Sequence, residues 1–345
     1  MIGGDQLATP GLALPTGVPQ PPAVTALYWL VADLDSGAVV AACGAHEGSP
    51  PASVLKLLLI ETFLDKLDPK QVVTVTHEDL AIKPGTSLVG LVEGGRYTVE
   101  QLWLGLLLQS GNDAANVLAR LGGGVGGGTG GRAAGIQAMN DEAARLGAYQ
   151  THAITPSGLD GVGQFTSVYD LALIARQDFR KETFRRYTLT KTAQMPAQGP
   201  KYKGFQIQNE NQLIFKYPGA LGGKTGFTDL ARHTYVGLAE RNGRRLVVTL
   251  LAGEPAPLRG WQQGAALLNW AFTLPADASV GHLVEPGEVG ASPSPTGTAA
   301  AIGAPVAAAA TGDSRLGPPL FIASAFVLAV ALLAGLLHRR RRARR

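Results

Sequence analysis

The sequence predicts an α/β fold in which a mostly antiparallel sheet carries helices on both faces and an inserted helical lobe, with a C-terminal transmembrane helix. Three observations support this prediction. Apolar, β-rich runs occur near both ends of the main segment, helical patterns fill its middle, and a long uncharged segment lies close to residue 345. Strands drawn from both ends of a segment pack most simply as one sheet that the helices between them cover.

The elements follow in that order along the chain. Strands are predicted at 26–34 and 38–42, around the hairpin signal Asp35-Ser36-Gly37. The helical patterns that come next cover residues 54–67, 97–109, 114–121, 133–146 and 167–176. Strands return at 222–227, 234–240 and 245–252, with a type I′ turn signal at Asn242-Gly243, before an amphipathic helix at 260–274.

The C-terminal segment predicts a membrane anchor. Residues 319–337 carry no charge, and as a helix they would extend about 28 Å, close to the ~30 Å hydrocarbon core of a bilayer. We therefore expect a transmembrane helix over 319–338. The tail 339–345 contains six arginines and no acid, so the positive-inside rule makes it cytoplasmic and the catalytic domain extracytoplasmic.

The overall charge of +4 reflects this tail, because the rest of the chain is slightly acidic. A topology signal explains the arginines, and we expect no nucleic-acid partner. Residues 1–23 are rich in Pro and Gly, are expected to be disordered, and lack the pattern of a signal peptide. We therefore expect an export signal upstream or a residue 1 that lies near the mature N-terminus. The alternative is an intracellular domain with a translocated arginine tail, which violates the positive-inside rule. The folded domain is expected over 24–276, followed by a low-complexity linker over 277–318.

The glycine-rich run 122–131 contains a G-x-G-x-x-G pattern. A dinucleotide site needs that pattern after a strand and before a helix, whereas this run follows a predicted helix. We interpret it as a flexible connector. Cys43 is the only cysteine, which excludes an intramolecular disulfide, and neither a cofactor nor a metal site is expected.

Three short motifs occur in one order along the chain: Ser53-Val54-Leu55-Lys56, Ser110-Gly111-Asn112 and Lys224-Thr225-Gly226. Each one alone is common. In this order they form the S-x-x-K, S-x-N and K-T-G set of serine enzymes that bind penicillin. The set therefore predicts a serine nucleophile.

The first motif provides a nucleophile and a base. Ser53 begins a predicted helix, so its backbone N–H is unpaired within the helix and is available to an oxyanion. Lys56 lies one turn further on the same face and could accept the serine proton if it were neutral. Its pKa must fall from ~10.4 to near 7, and burial beside residues 57–60 together with the charge of Lys224 would lower it.

The other two motifs would line the cleft. Ser110 could shuttle a proton to the leaving amine, and Asn112 could bind a substrate amide and Lys56, although helix capping is the alternative reading of both. Lys224 supplies positive potential, and Thr225 could bind a substrate carboxylate. Gly226 lets a peptide approach closely and add as a strand.

The chain resembles the low-molecular-mass penicillin-binding proteins of the serine D-alanyl-D-alanine carboxypeptidase type, peptidase family S11-like, over about residues 28–272. The further segments that carry the resemblance are Pro51-Ala52-Ser53, Asp113-Ala114-Ala115, Met139-Asn140, Thr155-Pro156-Ser157-Gly158-Leu159-Asp160 and Phe227-Thr228. The resemblance implies a β-lactamase/transpeptidase-like fold, peptidoglycan stems ending in D-Ala-D-Ala as substrates, and β-lactams as covalent inhibitors.

The resemblance also implies residue roles. Ser53 is acylated, Lys56 is its base, Ser110 and Asn112 line the cleft, and Lys224 and Thr225 bind the terminal carboxylate, with Gly226 and Thr228 in the same segment. The backbone N–H groups of Ser53 and Phe227 would form the oxyanion hole. The chain departs from many relatives at Ala231-Arg232-His233, where a small Ala-Gly pair is usual. Some members also have a second β domain, and we expect the low-complexity linker in its place here. Arg259 could hold a substrate carboxylate, but a solvated residue at a helix start is the favoured interpretation.

Several alternative functions remain open. A class A β-lactamase needs a glutamate that activates water, and the candidates between the second and third motifs are Glu142, Glu182 and Glu210. None has the expected Glu-x-x-Leu-Asn context, which favours the carboxypeptidase. An endopeptidase acting on cross-links is a closer rival, and a penicillin-binding sensor is the non-enzyme alternative.

Overall fold

A seven-stranded antiparallel sheet organises the chain. The computed structural model describes residues 2–125 and 130–288. The strands follow the order β1-β3-β2-β10-β9-β8, with β11 also paired to β3. Their bounds are Leu12–Ala13 (β1), Tyr28–Asp33 (β2), Ala38–Cys43 (β3), Ala220–Thr228 (β8), Arg232–Arg241 (β9), Arg244–Gly253 (β10) and Gly281–His282 (β11). All the described pairs in this sheet are antiparallel, as the sequence predicts.

The segment between β3 and β8 contains most of the helices and two small hairpins. The helices are α1 (Lys56–Phe63), α2 (Val99–Leu108), α3 (Asn112–Gly122), α4 (Gly131–Leu146), α5 (Val168–Arg180), α6 (Glu182–Thr188) and α7 (Leu213–Lys216), and α8 (Gly260–Ala271) follows β10. The hairpins pair β4 (Val72–Thr74) with β5 (Arg96–Thr98) and β6 (Thr192–Met195) with β7 (Phe205–Gln208). The inserted helical lobe is thus present, while β4–β7 and α6 were missed at the sequence level.

Side chains of the sheet alternate between two apolar cores. On β10, Val247 and Leu251 belong to the core that the inserted helices cover, whereas Val248 and Leu250 belong to the core beneath α8. Successive residues of a strand point to opposite faces, so one strand serves both cores. Helices therefore cover both faces of the sheet, as predicted.

The helix that carries the first motif is buried on every side. The single helix predicted over 54–67 is instead a 3-10 turn at Ala52–Leu55 followed by α1, which ends at Phe63. All eight residues of α1 are buried, including Lys56 and Glu61. A helix that is apolar all round packs inside the domain, and this one carries its lysine into the core.

Both predicted hairpin turns form. Asn242 and Gly243 have φ angles of 52° and 78°, the positive values that a type I′ turn needs, and they join β9 to β10. In the β2–β3 turn, Asp33 Oδ1 accepts hydrogen bonds from the backbone N–H groups of Asp35 and Ser36. Tight turns of this kind fix the register of the central strands.

The expectation that residues 1–23 are disordered is wrong for 2–23. A 3-10 helix forms at Asp5–Ala8 with Leu7 buried in the core, and β1 adds to the edge of the sheet. Further along, Trp270 Nε1 donates to the Pro19 carbonyl at 3.1 Å. A few well-placed apolar residues hold a segment whose composition alone predicts no structure.

The linker predicted over 277–318 also begins too early. β11 extends the sheet, and Val280, Leu283 and Val284 are buried against it, so residues 277–288 belong to the domain. The remaining linker, the transmembrane helix predicted over 319–338, the tail 339–345 and glycine-run residues 126–129 lie outside the described residues. Within the described ranges, no helix is both long and apolar enough to cross a bilayer.

Candidate active site

The turn that presents Ser53 is held from two sides. Ala52, immediately before it, has a φ of 49°, an uncommon value for a residue with a side chain. Gly158 packs directly on the Ala52 carbonyl, and a side chain there would collide with it. Thr234 Oγ1 donates to the Pro51 carbonyl at 2.8 Å. The strained turn therefore holds Ser53 between the 155–160 loop and β9. A backbone conformation such as that of Ala52 persists only when its surroundings enforce it.

Lys56 lies beneath Ser53 and is fully buried. Its Nζ is 2.7 Å from Ser53 Oγ, 2.8 Å from Asn112 Oδ1 and 2.9 Å from the Ser157 carbonyl. Three oxygens satisfy the three directions of the amine, which fixes it against the serine hydroxyl. The first two motifs therefore meet at one nitrogen atom.

The surroundings of Lys56 favour its neutral form. Burial lowers the pKa of Lys56 well below its usual value, and the positive charge of Lys224 lowers it further. The charges of Asp113 and Glu210 act in the opposite direction, but they are smaller effects than burial and Lys224. A neutral lysine amine held on a serine hydroxyl can accept its proton, as a general base does.

The second motif bridges α2 and α3. Ser110 has a φ of 57°, and the backbone N–H of Asn112 donates to the Ser87 carbonyl at 3.0 Å. The buried Asp113 carboxylate accepts from the backbone N–H groups of residues 89–91, each at 2.9 Å. The motif thus also positions the 87–91 loop, a role of Asp113 that sequence reasoning missed.

Ser110 is bound to the third motif. Lys224 Nζ donates to Ser110 Oγ at 3.0 Å and to the Thr225 carbonyl at 2.8 Å, and the lysine is buried. Burial lowers the pKa of Lys224 to about 8, and Glu210 partly opposes that effect. Since its pKa remains above neutrality, Lys224 is mostly charged at pH 7 and provides positive potential next to the Ser110 hydroxyl.

Strand β8 forms the opposite wall of the cleft. It is the last strand in the sheet order, so one of its edges is free to pair with an extended peptide. Gly226 lies against the nucleophile turn, where an added Cβ would be 2.9 Å from the Ser53 backbone N. Glycine therefore permits the contact between strand and turn. All nine site residues predicted from the sequence surround this cleft or lie directly beneath it.

The cleft has a volume of about 610 Å³. The residues that line it around Ser53 are 83–87, Thr155, 158–160 and 225–229, together with Ser110, Asn112, Glu210 and His233. Thr228 Oγ1 donates to Asp160 Oδ1 at 2.6 Å, which joins β8 to the loop of the helical lobe. His233, from the unusual Ala231-Arg232-His233 segment, packs on Phe227 with ring centroids 4.7 Å apart.

The three candidate glutamates have different environments. Glu142 is bound by Arg145 on α4, and Glu182 begins α6 away from the cleft. Glu210 does line the cleft, which its sequence context did not indicate, and burial raises its pKa. None of the hydrogen bonds of Lys56 is made to a glutamate. Arg259 is exposed at the start of α8 and does not line the cleft.

Sequence reasoning missed several contributors to the site: the Ser157 carbonyl, Gly158, Asp160, Asp113 and Thr234. The resemblance includes the segment 155–160, but the contact of its Ser157 carbonyl with Lys56 forms only when this loop folds against α1. Within residues 2–125 and 130–288, no cluster of three or more His, Cys, Asp or Glu side chains could hold a metal ion.

The class of the protein follows from three features on an antiparallel α/β sheet: a cleft serine bound to a buried lysine, a Ser-x-Asn loop and a Lys-Thr-Gly edge strand. They define a serine enzyme with the transpeptidase fold. The DD-transpeptidase of Streptomyces K15 has a similar structure, with a TM-score of 0.68 at 27% identity over 74% of this chain and all of that one.

A crystal structure of a D-alanyl-D-alanine carboxypeptidase from Mycobacterium tuberculosis gives a TM-score of 0.72 at 41% identity, covering 78% of this chain and 99% of that one. The D-alanyl-D-alanine carboxypeptidase DacB2 of the same organism is 42% identical over 77% of this chain and 88% of its own. DacD of Escherichia coli is 31% identical over 73% of this chain, a match that spans 64% of DacD.

The family model for D-alanyl-D-alanine carboxypeptidases, peptidase S11, matches residues 16–254. The chain belongs to this family and is a serine-type D-Ala-D-Ala carboxypeptidase. The matched residues contain all three motifs and begin within the ordered N-terminal segment.

Proposed function

We propose that this protein removes the terminal D-alanine from peptidoglycan pentapeptide stems through an acyl-enzyme on Ser53. The observation that carries the proposal is the 2.7 Å contact between Lys56 Nζ and Ser53 Oγ inside the domain, where burial favours a neutral amine. A serine hydroxyl is a weak nucleophile without such a base.

In the acylation step, Ser53 Oγ attacks the carbonyl carbon of the penultimate D-alanine while its proton passes to Lys56. The backbone N–H groups of Ser53 and Phe227 bind the oxyanion of the tetrahedral intermediate. The C–N bond then breaks and terminal D-alanine leaves as an amine that receives a proton through Ser110. Water hydrolyses the Ser53 ester and releases the shortened stem.

Lys224 and Thr225 bind the carboxylate of the leaving D-alanine. The ammonium of Lys224 is within 3.0 Å of Ser110 Oγ, so one cation serves both the carboxylate and the proton shuttle. Gly226 and Thr228 let the stem lie along the free edge of β8, while Asn112 binds its amide. A β-lactam presents an amide carbonyl and a carboxylate to the same groups and is expected to acylate Ser53.

The decisive experiment measures D-alanine release from a pentapeptide beside a cross-linked muropeptide dimer. The carboxypeptidase proposal predicts release from the pentapeptide with much slower cleavage of the dimer. Preferential cleavage of the dimer would instead identify an endopeptidase. Rapid turnover of penicillin without D-alanine release would support the β-lactamase alternative, with Glu210 as the residue to substitute first. Penicillin binding with no peptide turnover would support a sensor.

We also propose that residues 319–338 anchor the protein in the cell membrane, with the catalytic domain outside and residues 339–345 in the cytoplasm. The apolar length of the segment and its arginine flank support this topology. A reporter fused after Arg345 is expected to give a cytoplasmic signal, and an external signal would contradict the proposal.

A further inference from the structure

A second cavity of about 210 Å³ adjoins the catalytic cleft. The two share Lys83, Asn112, Thr155 and Leu159, so they meet on the Asn112 side of Ser53. We call this second cavity the side groove. Asn112, which accepts a hydrogen bond from Lys56, lines both spaces, so the side groove is continuous with the site of the nucleophile.

The side groove combines apolar walls with two cations. Ile82, Ile136 and Ile154 are partly exposed along it, and Lys83 and Arg132 supply the charges. No Asp or Glu is among the residues that line it, whereas Asp160, Asp229 and Glu210 line the catalytic cleft. The side groove is therefore lined by cations without acids, whereas the catalytic cleft is lined by charges of both signs.

Neither cation has a carboxylate partner among the described residues. Arg132 Nη1 donates only to the Glu78 carbonyl at 3.2 Å, and the Lys83 ammonium makes no hydrogen bond or ion pair in this part of the chain. The neighbouring Asp79 is already bound by Arg120 at 2.9 and 2.7 Å. Two cations that converge on one groove without internal partners are available to an anionic ligand.

We infer that the side groove binds the acyl-donor part of the peptide stem, on the N-terminal side of D-Ala-D-Ala, and that Lys83 and Arg132 select a carboxylate there. This inference rests on the proposed function, because the stem must first be held at Ser53. The apolar walls contact the stem's methylene groups, and the two cations pair with a carboxylate of the stem.

The test uses isosteric peptides. Each N-acetylated tetrapeptide ends in D-Ala-D-Ala and carries either glutamate or glutamine at one of the two residues that precede these alanines. The two peptides compared at each position therefore differ only in charge. The readout is the ratio of kcat/KM for the glutamate and glutamine members, measured on the full chain. Any general loss of activity in a variant cancels in this ratio.

The wild-type protein is expected to prefer glutamate about fivefold at one of the two positions at low ionic strength, and to lose the preference at high salt. Lys83→Gln combined with Arg132→Gln should bring the ratio close to one, and Arg132→Glu should invert it. The control pair Lys70→Gln and Arg186→Gln removes two exposed cations away from the groove and should keep the wild-type ratio.

A wild-type ratio of one at both positions, or an unchanged ratio in the Lys83/Arg132 variant, overturns the inference while D-alanine release still upholds the proposed function. Release of no D-alanine from any peptide, together with no penicillin adduct, overturns both. Measurements on the wild-type protein therefore distinguish failure of the side-groove inference from failure of the proposed function before any variant is compared.

Discussion

Gly226 is the position where a single added methyl group should most directly disturb catalysis. The Cβ of a Gly226→Ala variant would lie 2.9 Å from the Ser53 backbone N and 3.1 Å from that of Val54, and closer still to Thr234 Oγ1. Ordinary carbon contacts begin near 3.4 Å, so β8 and the nucleophile turn must separate by about 0.5 Å. The Thr234 hydroxyl must also move, which weakens its hydrogen bond to Pro51.

A misplacement of 1 Å costs about 10²-fold in rate, so a shift of about half that size should lower acylation roughly 10-fold, and up to 100-fold if Thr234 is displaced as well. Overpacking should also destabilise the protein by about 1–3 kcal/mol. The assay is the rate of penicillin acylation together with D-alanine release, and thermal unfolding measures the stability change.

Gly161→Ala is the matched control, because its Cβ would meet only ordinary contacts with Ile154 at 3.9 and 4.0 Å. It should change stability by no more than about 0.5 kcal/mol. In the background of Thr234→Ala, where the hydroxyl is gone, Gly226→Ala should cost less than in the wild type. Wild-type rates and an unchanged Tm in Gly226→Ala would refute the close packing of β8 on the nucleophile turn.

Three further predictions test other parts of the site and fold. The pKa of Lys224 is about 8, so its ammonium loses its charge above about pH 8. The kcat/KM for a peptide with a free terminal carboxylate should therefore fall above that pH. Amidation of the terminal carboxylate should abolish this fall in the pH profile. Asn112→Ala removes a 2.8 Å partner of Lys56 and should slow acylation by about 10- to 100-fold in stopped-flow measurements; an unchanged rate would exclude its positioning role. Leu7→Ala should destabilise by about 2–4 kcal/mol with kcat retained, whereas Leu12→Ala, at an exposed position, should change stability little; equal Tm values for both would contradict the packing of the N-terminal segment.

Periodicity and turn chemistry predict the central sheet well. The strands β2, β3, β9 and β10 lie within a few residues of their predicted bounds, because alternating burial and the Asn242-Gly243 turn are local signals. The ordered segment 2–23 was not predicted, because its order depends on long-range contacts such as Trp270 with Pro19. The Pro- and Gly-rich composition of this segment gives no indication of the distant residues that it contacts in the folded chain.

The catalytic residues were also predictable, since their spacing reflects the chemistry they perform. Lys56 and Ser53 are one turn apart, and this local geometry follows from sequence. The Ser157 carbonyl, the placement of Gly158 against Ala52 and the presence of Glu210 in the cleft depend on loops that meet only in the folded chain. Such contacts leave no periodic or spacing signal.

The central claim is that Ser53 is the acylated nucleophile and that Lys56 activates it. Intact-mass and peptide-mapping spectrometry after incubation with benzylpenicillin tests this most directly. A single adduct on the peptide that contains Ser53, lost in Ser53→Ala and formed far more slowly in Lys56→Gln, is the predicted result. An adduct of the same stoichiometry in Ser53→Ala would contradict it.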